Sequence, residues 1–238
     1  MVCYGNDLSQ AISRDHGRDL DTETLQWRVL ANVYGASPTT PESSKGTILS
    51  FQDFDSSLST ANFIRTAERM IPDLVSCNES LVDQQLWERE ADVRPKEQIY
   101  GMKTRLVAEA QFVQLVNNFV GHVLFDALLG DGFLELYPGF LDFMTDLDNG
   151  WKFLAMGLPR WVPPPATMRA HFAKVQSHAA LKSLHAALDA VAREEEVPKP
   201  WDDLTGISSQ FKARHARMAE QGIPGTLRAA LDLSALHR

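Results

Sequence analysis

Between Phe112 and Leu128, apolar residues return every three or four positions: Phe112, Val116, Phe119, Val120, Val123, Ala127 and Leu128. That is the period of an α-helix, whose residues i, i+3 and i+4 share one face. A strand with one buried face would instead alternate residue by residue. The helical signal begins near Thr104, and Gly130-Asp131-Gly132 ends it. After Pro138-Gly139 a second stripe follows, with Phe140, Phe143, Met144, Leu147, Trp151 and Leu154, stopped by Gly157-Leu158-Pro159. Pro163-Pro164-Pro165 predicts a stiff, extended connection.

The same reasoning places a long helix over about Thr167–Arg193, carrying Phe172, Val175, Leu181, Leu184, Leu188 and Val191. A charged loop covers 194–200, and a last helix pair runs roughly over 207–221 and 225–237, split by Gly222-Ile223-Pro224-Gly225. In the first third the signals are shorter. Leu8, Ala11 and Ile12, then Leu25, Val29 and Leu30, have helical spacing, and 36–50 is a Ser/Thr/Pro/Gly loop. A helix over about Ser57–Met70 should stop at Ile71-Pro72, and Trp87-Glu88-Arg89-Glu90 sits on a short helix. No alternating strand pattern and no internal repeat is visible. The fold class is mainly α: a helical region with loops over 1–100 and a helical region over 101–238, read as one continuous domain.

Composition narrows the function. A net charge of −8 over 238 residues argues against a nucleic-acid partner and against docking on anionic lipid. Two cysteines, Cys3 and Cys77, make no disulfide framework and point to a reducing compartment. There is no signal-like N-terminus and no run of 18 or more apolar residues, so a soluble cytoplasmic protein with no transmembrane segment is expected. The apolar stretch Phe153–Trp161 is its one candidate for peripheral contact with a membrane such as the endoplasmic reticulum.

Three groups of polar residues call for chemistry to be weighed. His171, His178 and His185 are seven apart, which on a helix is about 10 Å per step, too far for one metal ion; a partly exposed polar stripe is expected. Asp142, Asp146 and Asp148 have spacing that could hold magnesium, but Asp148 leaves the shared face, and a solvated helix face is the better reading. His122 and Asp126, one turn apart in an apolar run, form a candidate catalytic pair in which the carboxylate orients the imidazole; a structural hydrogen bond is the alternative. No nucleophile elbow, phosphate loop or dinucleotide fingerprint is present.

Phe119-Val120-Gly121-His122 through Leu129-Gly130, Phe133-Leu134-Glu135, Tyr137-Pro138, Asp146-Leu147-Asp148-Asn149-Gly150 and Gly157-Leu158-Pro159-Arg160-Trp161-Val162-Pro163 resemble the cytochrome P-450 (haem-thiolate monooxygenase) superfamily. So do Phe211-Lys212-Ala213-Arg214 and Arg228-Ala229-Ala230-Leu231-Asp232-Leu233. The similarity covers about half the chain and is nearest to fungal enzymes of secondary metabolism. It implies a truncated helical domain of that kind without the haem-binding half, ending at Arg238 where the oxygen-activating groove would begin. The departures are specific. No F-x-x-G-x-x-x-C-x-G loop exists, since Cys77 has Asp73 at the glycine position; Glu-x-x-Arg and Trp-x-x-x-Arg are absent; and Gly101-x-x-Thr104 carries Lys103 where an acid belongs. Without a thiolate ligand, monooxygenase chemistry is not expected, and neither haem nor another cofactor or metal is implied.

What the resemblance leaves is the family's substrate cover. By it, Phe143, Leu147, Trp151 and Leu154 on one helix, with Phe172 and Val175 on the next, would border an apolar pocket; periodicity alone makes them core. The expected function is a haem-free protein binding an apolar small molecule, of the terpenoid type, in natural-product biosynthesis. It would promote a cofactor-independent cyclisation or pericyclic isomerisation by proximity, with His122 or Trp151 as hydrogen-bond donor. The alternatives are a non-catalytic partner, as a homodimer or paired with a full-length oxygenase, and an inactive remnant.

Overall fold

Eight helices and one hairpin account for the ordered elements of the computed structural model, which describes residues 22–36, 56–76, 94–100 and 103–237. In chain order these are α1 (Thr22–Tyr34), α2 (Ser56–Ser76), β1 (Arg94–Tyr100), β2 (Lys103–Glu109), α3 (Phe112–Leu129), α4 (Asp131–Leu136), α5 (Phe140–Ala155), α6 (Pro165–Ala192), α7 (Ser209–Glu220) and α8 (Gly225–Leu236). The protein is therefore mainly helical. Cys3, Cys77, the Leu8-Ala11-Ile12 stretch, nearly all of the 36–50 loop and Trp87–Glu90 lie outside the described residues.

Helix ends fall where glycine can leave the right-handed region. After α5, Gly157 stands at φ +73°, its N–H donating to Leu154 O at 2.8 Å while Leu158 N–H donates to Phe153 O at 3.0 Å. This pair of bonds is a Schellman cap, which satisfies carbonyls the helix itself leaves open. Gly222, at φ +69°, closes α7 in the same way through Ala219 O and Met218 O. The sequence boundaries for α5, α6, α7 and α8 agree with the observed ones within about three residues.

Two expectations are overturned. The segment from Thr104 is not helical: Lys103–Glu109 pairs antiparallel with Arg94–Tyr100, Arg94 opposite Glu109 and Tyr100 opposite Lys103, and α3 starts only at Phe112. Arg94, Lys96, Glu97, Gln98 and Ile99 are all exposed, so these five residues present no buried face to impose alternation on the sequence. Second, α2 does not stop at Pro72 but runs on to Ser76, although a mid-helix proline forfeits a backbone hydrogen bond. Helix α3 is long and apolar enough, by length and composition alone, to cross a membrane, with a third of it buried. Its apolar stripe is split: Phe112, Val113, Val116 and Val120 are exposed, whereas Val123, Phe125, Leu128 and Leu129 are core.

The chain divides into two compact units. The first comprises Met1–Asp53, Phe143–His185 and Met218–Arg238, and the second Phe54–Asp142 and Ala186–Arg217. In the first, α1 packs on α8 around Leu30, Val33, Leu147, Leu154, Leu181, Leu184 and Leu231, all fully or almost fully buried. Gly150 lets α5 and α6 approach closely, because a Cβ there would meet Ala170 Cβ and the Ala166 carbonyl. In the second unit α3 packs on α2 and α4. Its core is aromatic: Phe133 meets Phe140 edge-on at 4.9 Å and stacks with Trp201 at 6.2 Å.

Candidate functional site

The site of interest lies within the first unit and is assembled where three helices end or turn. Lys174 of α6 donates to Ala31 O at 3.1 Å and Asn32 O at 2.6 Å, occupying carbonyls at the C-terminal end of α1 where a cation also meets the favourable end of the helix dipole. Asn32 Nδ2 donates to Ala155 O at 3.3 Å, joining the end of α1 to that of α5. These bonds fix the last turn of α1 and hence Tyr34. From α5 come Asp148, Asn149, Trp151 and Lys152, and from the end of α8 come Ser234 and His237.

Between them opens a cavity of about 550 Å³, lined further by Leu25, Gln26, Val29 and Leu30 of α1. That volume is within the range of about 300–1,000 Å³ usual for small-molecule sites. Its polar groups form a chain. Trp151 Nε1–H donates to Tyr34 Oη at 3.3 Å, Tyr34 Oη lies 3.0 Å from His237 Nδ1, and His237 Nε2 lies 3.8 Å from Asp148 Oδ1. Tyr34 and His237 also meet ring edge to face, their centroids 5.7 Å apart. Burial lowers the His237 imidazole below its ordinary range, while Asp148 acts in the opposite direction. The imidazole is thus neutral at pH 7 and able to take up a proton.

Of the six residues expected to border a pocket, Trp151 alone lines this cavity. Leu147 and Leu154 are core, exposed by 0% and 1%. Phe143 packs edge-on against Phe172 at 5.9 Å, and Phe172 and Val175 lie on the surface. The structure puts His122 and Asp126 in the second unit. His122 is buried, and desolvation lowers its pKa to about 4; Asp126 is ion-paired with Arg69 of α2. Burial pushes the Asp126 carboxyl up, against the pull of Arg69. Asp126 borders a second, polar hollow with Arg65, Arg69, Thr205 and Ser209, which His122 does not line.

Of the spaced histidines of α6, His171 and His178 are partly exposed, as expected of a polar stripe, and His185 is not. His171 is hydrogen-bonded to Leu158 O at 2.8 Å and His178 to Thr226 O at 2.9 Å. His185 is fully buried, 2.7 Å from the equally buried Asp232 Oδ2. One residue in seven keeps these side chains on one side of α6, and that side faces protein. Asp142 and Asp148 are solvated, and Asp146 pairs with Arg169 at 3.1 Å. Among the described residues no group of three or more His, Cys, Asp or Glu is placed to hold a metal ion.

Sequence reasoning missed Tyr34, His237 and the role of Asp148, because Tyr34 and His237 are 203 positions apart and no local motif links them. A signal did exist for Asp232, a lone acid inside the apolar run Leu227–Leu236. No family model, no curated protein and no solved structure matches the chain.

Proposed function

We propose that the cavity of the first unit binds an apolar small molecule bearing one polar group, of the terpenoid type, and that the protein promotes a non-redox isomerisation or cyclisation of it. The observation that carries this reading is the Trp151–Tyr34–His237–Asp148 chain on the wall of a cavity that Leu25, Val29 and Leu30 also line, together with the polar Gln26, Asn149, Lys152 and Ser234. Apolar walls with a few convergent polar groups are the usual make-up of a ligand site. A cavity that holds the reacting ends of one molecule together removes several kcal/mol from a ring-closure barrier through orientation alone. A neutral histidine beside a tyrosine adds acid–base help.

The test is calorimetric titration with farnesol, an apolar alcohol. Wild type is expected to bind it, and Val29→Trp, which fills the cavity, to weaken binding by roughly ten-fold or more, about 1.4 kcal/mol. No binding by wild type, or equal binding by the filled variant, contradicts the reading.

A second reading is favoured by one observation. Met168, Phe172 and Val175, at i, i+4 and i+7 on α6, are all more than half exposed, and Phe143 supports Phe172. This stripe fits a non-catalytic role in which two copies pair through α6. Sedimentation decides it: a wild-type dimer that becomes a monomer in Phe172→Glu supports pairing, and a wild-type monomer at micromolar concentration removes it.

A further inference from the structure

The proton positions in the chain narrow the ligand further, on the reading that the cavity is the ligand site. Indole N–H is only a donor, so Trp151 gives a hydrogen bond to the Tyr34 oxygen. A neutral imidazole carries one proton on one of its two nitrogens. His237 Nε2 is buried, has no hydrogen-bond partner among the described residues, and faces the Asp148 carboxylate at 3.8 Å. That negative charge favours the proton on Nε2. Nδ1 is then bare, and the Tyr34 hydroxyl donates to it across 3.0 Å. In this resting state the unprotonated Nδ1 accepts from Tyr34, and the Asp148 carboxylate lies beyond Nε2. The imidazolium that forms would lie beside Asp148, whose charge offsets part of the burial that otherwise disfavours it.

We infer that Tyr34, His237 and Asp148 form a proton relay that draws a proton from a hydroxyl group of the ligand, which is therefore an apolar alcohol, phenol or enol. As the ligand O–H bond breaks, its proton goes to Tyr34 Oη while the Tyr34 proton moves to His237 Nδ1. Tyrosine is thus regenerated, and the charge comes to rest on the imidazolium beside Asp148. Trp151 N–H steadies the tyrosine oxygen during the exchange. The ligand oxygen, now electron-rich, closes onto an electron-poor C=C carbon of the same molecule. One C–O bond forms, the C=C π bond breaks, and the far carbon takes the proton back along the same route. The product is an isomer of the substrate, and no oxidant or reductant takes part. Tyr34 is the catalytic residue; His237 receives its proton, and Asp148 and Trp151 are positioning residues.

Two measurements test this. Nitrogen-15 NMR of histidine-labelled protein at pH 7 should find His237 protonated on Nε2, with bare Nδ1 hydrogen-bonded; Asp148→Asn should shift that balance toward Nδ1–H. Titration with 2-naphthol should show the naphtholate absorption well below the pH at which free naphthol ionises. In His237→Gln the ionised fraction should fall roughly ten-fold, one pKa unit, while naphthol still binds. Tyr34→Phe should do the same, and retained naphthol binding shows that both variants fold. An Nδ1–H tautomer, an imidazolium at pH 7, or naphthol bound un-ionised by wild type overturns the relay. Failure of both farnesol and naphthol to bind, with the Nε2–H tautomer intact, instead contradicts the ligand reading, and the proton transfer from a ligand falls with it.

Discussion

Glu194 follows the end of α6 at φ +57°, the left-handed region, where Glu194 N–H donates to Val191 O and Glu195 N–H to Ala190 O. This is the glycine position of a Schellman cap filled by a residue with a Cβ, at a cost of about 1–2 kcal/mol. Glu194→Gly should therefore raise stability by about 0.5–1 kcal/mol in urea unfolding, after the extra chain entropy of glycine is subtracted; unchanged or lower stability contradicts the account of the turn. At His122 the sign runs through burial. Its folded pKa of about 4 lies below that of the unfolded chain, near 6.5, so the unfolded state takes up a proton first as pH falls. Burial lowers His178 and His237 in the same direction. Stability should hold above pH 6.5 and decline from there toward pH 4, and His122→Gln should flatten that decline by up to one proton in a Tm-against-pH series. The spacing of His171, His178 and His185 was legible as a shared face, but not which way that face pointed. His185 lies against Asp232 of α8 in full burial, and Asp232→Ala should cost about 1–3 kcal/mol by removing the hydrogen-bond partner of a buried imidazole nitrogen.

Among the elements, α5 and α6 were readable almost to the residue, because each combines a helical apolar stripe with a glycine or proline stop. The hairpin was not readable: Leu106, Val107 and Ala108 run on toward Phe112 and extend a helical-looking pattern, while cross-strand pairing, including the exposed Lys96–Glu109 ion pair at 2.7 Å, leaves no mark in the local spacing. A two-stranded ribbon is marginal by itself. The α5–α6 crossing makes a sharper test. The added methyl of Gly150→Ala would collide with Ala170 Cβ and the Ala166 carbonyl, neither of which is the end of a flexible chain. A loss of about 1–3 kcal/mol is expected on thermal unfolding, and a neutral substitution would mean that the helices do not pack this closely. At the end of α1, Lys174→Met should remove the two bonds to Ala31 O and Asn32 O and speed amide hydrogen exchange around Tyr34. Unaltered exchange there would separate Lys174 from the positioning of the site.

For the molecule as a whole, the helical class was legible from period alone, whereas the partition into two compact units was not, since each draws on separated stretches of chain. The functional reading divides the same way. Trp151 was named from its place on an apolar stripe and does line the cavity, but the chemistry beside it comes from Tyr34 and His237, near the two ends of the sequence. Leu147 and Leu154 carry the same stripe signal and are core, because periodicity identifies a buried face without distinguishing a cavity wall from solid packing. Phe172 and Val175 mark a surface instead, with Phe143 packed against Phe172. The proposed activity rests on the cavity and its polar chain, not on the sequence resemblance to haem-thiolate monooxygenases. The most direct measurement is a crystal structure of the protein grown with farnesol. The account predicts density for the prenyl chain along Leu25 and Val29, with its hydroxyl within hydrogen-bonding distance of Tyr34 Oη. Farnesol bound elsewhere, or an empty cavity at saturating farnesol, would contradict it.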